Sequence, residues 1–227
     1  MINVYLPCRK GSKRVKTKNT KPFFKFKFGL FENKINQLLK VKSIAKIFVS
    51  TDDPKIINYC KKENLNKVIV IIRKKELADD NASTDDLIMD VPKDISNGHI
   101  LWTHVSSPFI SAKNYEKIIK KYLNIIEKGF DSLMTVNVLQ TFLWDNKKPI
   151  NYNRKYEKWP KTQTLKKIYE INSGVFLASA SIYKKYNDRI GKKVYLYELD
   201  KLSGFDIDWP DDFKLAEQIL LSKIFKS

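Results

Sequence analysis

Five short apolar runs rich in β-branched residues recur along this chain, each bounded by turn signals and separated from the next by a segment with helical spacing. The runs are Ile2–Leu6, Ile47–Val49, Val68–Ile72, Ile100–Trp102 and Ser132–Val138. Between them, Ile35, Leu38, Leu39 and Val41 fall at helical spacing. So do Ile56, Ile57 and Cys60, which follow Asp53-Pro54, with Pro suited to the first helical position. Leu87, Ile88 and Val91 follow Ser83-Thr84, a capping pair. Tyr115, Ile118, Ile119, Tyr122, Leu123 and Ile126 make the strongest amphipathic stripe, closed by Gly129. Such alternation predicts an α/β three-layer sandwich, a mostly parallel central sheet with helices on both faces. The ligand site of such a sheet lies outside the C-terminal ends of its strands.

The first run leads straight into that zone. Ile2–Leu6 is followed by Pro7-Cys8-Arg9-Lys10-Gly11-Ser12-Lys13-Arg14, then by Lys16 and Lys18-Asn19. A turn with one Gly, one Ser and six cations is suited to several negative charges at once, and a nucleoside triphosphate is the expected cargo. Gly11 and Ser12 can point backbone N–H groups at phosphate oxygens. Arg9 can grip a phosphate bidentately, while Lys13 and Lys18 act as point charges. The spacing is neither a Walker A loop nor G-x-G-x-x-G.

A chain of 227 residues is expected to form one domain, 1–227. Residues 139–165 interrupt the alternation. Gln140–Trp144 and Tyr152–Trp159 are aromatic and basic, with Pro149 and Pro160 nearby, as in an arm that leaves the sheet as a hairpin; such clustered aromatics fit a contact with a second subunit and equally a loop packed on its own domain. The net charge of +18 raises the possibility of a nucleic-acid partner. Against a specific one, only five cations are Arg, and the lysines are spread along the chain. A non-enzymatic polyanion-binding protein is the alternative that this charge leaves open. No apolar run approaches a membrane span of roughly 18 residues. With no signal-peptide pattern and only Cys8 and Cys60 as thiols, a cytoplasmic, reduced protein is expected.

Four further motifs fall at strand ends. Near the C-terminus, Asp206-Ile207-Asp208 reads as strand-like, so that both carboxylates point to one side. Two hard oxygen ligands side by side suit Mg2+ that keeps waters and shares phosphate oxygens. Val49-Ser50-Thr51-Asp52, Arg73–Thr84 and His104-Val105-Ser106-Ser107-Pro108-Phe109 complete the set.

In this order the motifs resemble the acylneuraminate cytidylyltransferases (CMP-sialic acid synthetases) and their relatives that activate Kdo and other 2-keto sugar acids. The family's Arg-x-Gly-Ser-Lys-x(4)-Lys-Asn loop is matched by Arg9–Lys13 with Lys18-Asn19, and its V-S-T-D by Val49–Asp52. R-P-x-E-L-A-x-D is matched by Arg73, Glu76-Leu77-Ala78 and Asp80, Thr-Ser-Pro-Leu by Ser106–Phe109, and Ile-Asp-Ile-Asp by Phe205–Asp208. The likeness spans residues 2–219. It implies a Rossmann-like nucleotidyltransferase fold and transfer of CMP from CTP to an acidic sugar, with release of pyrophosphate, for surface glycan synthesis. By the same resemblance, Arg9 and Lys18 steady the phosphates, Gly11, Ser12 and Lys13 shape their cradle, and Asn19, Arg73, Ala82 and Ser83 sit near ribose and cytosine. Asp206 and Asp208 hold Mg2+, Ser107 belongs to the substrate side, and 139–165 is a dimerisation arm.

The acceptor half departs from the family. Ile110 stands where Arg is frequent, His104 where sialate enzymes often have Gln, and Glu170 where an Arg, followed by Asn172 and Gly174, meets the substrate carboxylate. Losing that Arg forfeits a charge-assisted pair worth on the order of 2 kcal/mol. Lys161, Gln163 and a protonated His104 are the candidates to replace it. A different acceptor, such as a phosphonate, is the second enzymatic expectation.

Overall fold

Val4, Leu6, Ile47, Val49, Leu101 and Leu133 alternate inward from their strands and lose essentially all contact with solvent. The computed structural model describes residues 1–79 and 81–222. In chain order these form β1 (Ile2–Pro7), α1 (Gly29–Leu39), β2 (Ile44–Thr51), α2 (Pro54–Lys62), β3 (Val68–Ile72), α3 (Lys75–Ala78), α4 (Thr84–Asp94), β4 (His99–Thr103), α5 (Ala112–Ile126), β5 (Ser132–Leu139), β6 (Ile168–Ser179), α6 (Ala180–Tyr186), β7 (Val194–Glu198) and α7 (Pro210–Leu221). Among the described residues the strands make one seven-stranded sheet in the order β3-β2-β1-β4-β6-β5-β7. The expected mostly parallel sheet is present. β6 runs antiparallel to β4 and β5, and the remaining neighbours pair in parallel.

Two apolar layers flank the sheet. One gathers Phe31, Ile35 and Leu38 of α1, Ile118 and Tyr122 of α5, and Phe213 and Ala216 of α7. The other gathers Leu87 and Val91 of α4 with Tyr183 of α6 over Tyr5, Trp102 and Phe176. Local chemistry sets the helix starts. Asp53 caps α2 by accepting from the Lys55 amide, with Pro54 at the first position. Ser83 and Asp86 form a reciprocal capping box on α4.

Gly29 opens α1 at φ +70, and a Cβ there would collide with the Lys21 carbonyl oxygen. Gly29→Ala therefore combines left-handed strain with a backbone clash. The expected cost is about 2 kcal/mol or more, a fall in melting temperature of roughly 4–8 °C measured by calorimetry.

Between β5 and β6 the chain makes the expected excursion, but the hairpin reduces to a single antiparallel bridge, Trp144 with Pro149, and a 3-10 turn at Thr162–Thr164. Aromatic packing takes the place of a ladder there. Phe142 meets Tyr152 and Trp159 edge-on, and the Arg154 guanidinium lies over Trp144 and Trp159. Tyr156 and Trp159 remain exposed. Cys8 and Cys60 are free, buried thiols.

Candidate functional site

β1 is flanked by β2 on one side and β4 on the other, so the strand order reverses beside it. Crevices of doubly wound sheets open at such points, outside the strand C-termini. There, β1 delivers the Arg9–Asn19 loop, β2 delivers Thr51-Asp52, and β4 delivers His104–Ser107. β6, being antiparallel, brings its first half, Ile168–Gly174, to the same edge.

The β1 loop is tied to its neighbours by backbone contacts. Thr51 Oγ1 donates to the Cys8 carbonyl at 2.6 Å, and the Lys10 amide donates to Asp52 Oδ1 at 2.7 Å. Asn19 Nδ2 donates to the Arg9 carbonyl at 3.0 Å. Hence the Thr51-Asp52 motif holds the loop in place. Gly11 has no positive φ, and a Cβ on it would meet nothing within 4 Å. The fold places no demand for glycine there, and the space above it is open to a ligand.

Asp206-Ile207-Asp208, expected to be strand-like, belongs to no strand and lies outside the sheet. The Ile207 amide donates to the Ser106 carbonyl at 2.9 Å, and the Ile207 side chain is buried. Asp206 and Asp208 nevertheless line one cavity. Ser107 Oγ donates to Asp206 Oδ1 at 3.4 Å. Burial raises the Asp206 pKa, with hydrogen bonds from Ser106 and Ser107 and the Lys18 charge opposing that shift. Lys18 Nζ donates to the Ile207 carbonyl at 2.8 Å, between the two acids, and desolvation lowers its pKa against the pull of Asp206 and Asp208. Asp208 pairs with Arg14 at 2.7 Å. Among the described residues, no group of three or more His, Cys, Asp or Glu is arranged to hold a metal. A desolvated carboxylate beside a second one fits an ion that completes its shell with water and phosphate oxygens, the habit of Mg2+.

Three cavities adjoin along the sheet edge. The first, about 390 Å3, is lined by Arg9, Gly11, Ser12, Lys13, Lys18, Asn19 and Asp208 among others. The second, about 280 Å3, has Arg73, Ala82, Ser83 and Trp102 in its wall and shares Pro7, Arg9 and His104 with the first. The third, about 380 Å3, contains Asn137, Glu170, Asn172, Lys201, Asp206 and Asp212, and shares Asp208 with the first.

Several expected residues have specific tasks that the motifs do not reveal. Arg73 is buried and donates to Ser50 Oγ at 3.1 Å and the Ser50 carbonyl at 3.0 Å. The Ser83 hydroxyl and amide are both committed to Asp86. Asn172 Oδ1 accepts from Thr135 Oγ1 and the Gly174 amide, and its Nδ2 donates to Asn137 Oδ1. Asn137 in turn donates to Glu170 Oε2 at 3.0 Å. Lys161 and Gln163 stand exposed at the base of the arm, outside the linings of the three cavities. Ile110 is fully buried, its Cδ1 against Gly174. Asp80 lies outside the described residues.

The protonated His104 expected from the sequence is corrected. Trp102 Nε1 donates to His104 Nε2 at 2.9 Å, and His104 Nδ1 donates to the Ser173 carbonyl at 2.8 Å. This arrangement needs the neutral ring, and burial lowers the pKa to about 4. Arg14 and Lys34 are the additions that motif reading missed. Arg14 stood within the cationic run but without a motif position, and Lys34 sits on the buried face of α1.

A family model described as Cytidylyltransferase matches residues 4–227. Over 216 residues, 92% of this chain, the sequence is 26% identical to an N-acylneuraminate cytidylyltransferase of Streptococcus agalactiae serotype V, and it covers 50% of that protein. The chain thus spans about half the length of the curated relatives it matches. Its fold is similar to that of CMP:2-keto-3-deoxy-manno-octonic acid synthetase complexed with CTP, with a TM-score of 0.69 and 13% identity over 98% of this chain and 99% of that one. A 4-diphosphocytidyl-2C-methyl-D-erythritol synthase from Anaerococcus prevotii gives a TM-score of 0.63 at 14% identity, over 97% and 96% of the two chains. With the family model spanning nearly the whole sequence, the chain belongs to the cytidylyltransferase family.

Proposed function

We propose that this protein transfers the cytidylyl group of CTP to the anomeric hydroxyl of an acidic sugar, releasing pyrophosphate in the presence of Mg2+. The observation that carries the reading is the run of three joined cavities. A base-sized one holds Arg73 and the Ala82-Ser83 backbone, a cationic one holds Arg9, Lys13 and Lys18, and a third opens beyond Asp206 and Asp208. Arg9 and His104 stand at the first junction and Asp208 at the second. The cationic cavity thus adjoins both the base and the acceptor cavities, and in-line transfer places the acceptor oxygen on the face of the α-phosphate opposite the leaving pyrophosphate, which the Arg9–Lys18 loop holds.

Little covalent chemistry falls to the protein, so its work is positioning and charge neutralisation. Arg9, Lys13 and Lys18 draw the triphosphate against the loop, and the open face above Gly11 admits its oxygens. Asp206 and Asp208 would hold Mg2+, which when bound neutralises charge developing on the phosphates. Neutral His104, locked by Trp102 and Ser173, gives the base and phosphate cavities a rigid common wall.

The acceptor cavity has Lys201 as its cation, with Glu170 and Asp212 also in the wall. One cation among several acids suits a monocarboxylate rich in hydroxyl or amino donors. A phosphonate dianion suits it less well. The exposed aromatic face of the arm is the surface we assign to self-association.

Thermal-shift measurement with Mg2+ and each of CTP, UTP, ATP and GTP tests the nucleotide. CTP at a hundredfold excess over its Kd is expected to add about 2.7 kcal/mol, roughly 5–10 °C for a chain of this size. Pyrophosphate release with CTP across a panel of sugar acids then identifies the acceptor. Equal shifts with all four nucleotides would remove the cytidine assignment.

A further inference from the structure

Lys34 is a lysine with no exposed surface, on the face of α1 that packs against the sheet. A buried ammonium is costly unless its donors are satisfied. Its Nζ donates to the Ser107 carbonyl and to Tyr115 Oη, both at 2.7 Å. Thr103 Oγ1 donates to the Gly174 carbonyl at 2.7 Å, so its proton is spent, and the Tyr115 hydroxyl must donate to Thr103 Oγ1 at 2.8 Å. The proton order of the chain Lys34, Tyr115, Thr103, Gly174 is therefore fixed. It joins α1 and α5 to the end of β4 and the middle of β6, two of the strands that border the site.

Ser107 is the pivot. Its carbonyl faces Lys34, and its hydroxyl faces Asp206. Two neighbours of Lys34 on α1 hold the next residue of the loop, since Asn33 Nδ2 and Gln37 Nε2 both donate to the Pro108 carbonyl, at 3.0 and 2.7 Å. Neutral donors are enough to satisfy carbonyls, as Asn33 and Gln37 show. The lysine at the middle position does more than they do, joining the loop to Tyr115 of α5 through one side chain. Burial pulls the Lys34 pKa down to about 7, and the Asp206 charge opposes that shift.

Building on the cytidylyl-transfer reading, we propose that Lys34 is a positioning residue for Asp206: from beneath the Ser106-Ser107 loop it fixes the Ser107 backbone, whose hydroxyl meets the carboxylate, without touching substrate. The same geometry assigns Tyr115 and Thr103 to the chain that keeps Lys34 in place.

The test compares the parent chain with Lys34→Met, which keeps the volume and removes the donors, and Lys34→Gln, which restores a neutral donor. Steady-state pyrophosphate release, CTP affinity by calorimetry without divalent ion, Mn2+ affinity by electron paramagnetic resonance without nucleotide, and melting temperature are measured on each. In Lys34→Met, kcat is expected to fall about 10–100-fold and Mn2+ affinity several-fold, with CTP affinity and melting temperature nearly unchanged. Lys34→Gln, which keeps a donor for the Ser107 carbonyl, should recover part of both kcat and the Mn2+ affinity. Parent-like kcat and Mn2+ affinity in Lys34→Met would overturn the proposal. So would a parallel fall of melting temperature, CTP affinity and kcat in both variants, which marks a purely structural lysine. A parent chain that releases no pyrophosphate sinks the transfer reading alone. The Mn2+ titration then decides the role of Lys34 by itself.

Discussion

Replacing Asp206 with Asn is expected to lower pyrophosphate release by about three orders of magnitude while leaving the ligand-free protein at least as stable as the parent. The two effects have one origin. Asp206 is mostly removed from water, beside the Asp208 carboxylate, and burial raises its pKa above the ordinary value. A carboxyl whose folded pKa is raised binds its proton more tightly in the folded state than in the unfolded one. Its favourable contribution is full below the unfolded value of 3.8 and is lost as pH rises through the folded pKa. At neutral pH the ionised group thus opposes folding, and an isosteric amide removes that opposition. The same ionised group is the one that suits a divalent cation and that Lys18 and the Ser106 and Ser107 hydroxyls support. Its loss removes a ligand from the proposed ion, and losses of this kind cost about 3–4 kcal/mol in the transition state. Calorimetry without ligands and pyrophosphate release with CTP measure the two sides. A variant that is both unstable and inactive would show Asp206 to be a structural acid, and an active one would remove it from the site.

This opposition between stability and activity explains which parts of the molecule were legible in the sequence. β1 to β5 and the helices α2, α4 and α5 follow from periodicity because their inward positions are apolar and their caps, Asp53, Ser83 and Gly129, are local signals. β6 and β7 did not stand out. The first half of β6, Ile168–Ser173, has three consecutive exposed positions, Tyr169–Ile171, where a half-buried strand would alternate, since it borders the crevice as well as the sheet. β7 is an edge strand whose residues are only partly buried. The motif residues Arg9, Lys18, Asp206 and Asp208 were legible because their spacing is distinctive, and they converge on adjoining cavities. Lys34 was not, because a lone lysine between Ile35 and Asn33 resembles the solvent side of a helix. Its burial depends on the Ser107 carbonyl and the Tyr115 hydroxyl, 73 and 81 residues away. The protonation state of His104 was misread for the same reason. A histidine at a strand end suggests an available acid, and only the tertiary contacts with Trp102 and Ser173 show that both ring nitrogens are occupied.

Lys18→Ala is expected to behave differently from Asp206→Asn, and the contrast separates phosphate neutralisation from metal binding. Lys18 is held on the Ile207 carbonyl between two acids, so it serves the empty site as well as the occupied one. Burial of the ammonium opposes folding, but truncation to Ala leaves Asp206 and Asp208 without that counter-charge and the Ile207 carbonyl without its donor, and with these two losses the larger, the ligand-free protein is expected to lose stability rather than gain it. Removing it also deprives the triphosphate of a fixed cation in the cavity that Arg9 and Lys13 share. Catalytic efficiency, kcat/KM, should fall about 10²–10³-fold, and CTP affinity should weaken with it, because the charge acts on bound substrate and transition state alike. Lys18→Arg restores the charge but not the compact ammonium that fits between the acids, so partial recovery of affinity with little recovery of kcat is expected. In the double variant Lys18→Ala with Asp206→Asn, the stability loss should be smaller than in Lys18→Ala alone, since the uncompensated carboxylate is gone. The two activity losses should fail to add. Additive losses in both stability and kcat/KM would mean that Lys18 and Asp206 act independently, and the pair would then have to be read as two separate contacts with the nucleotide.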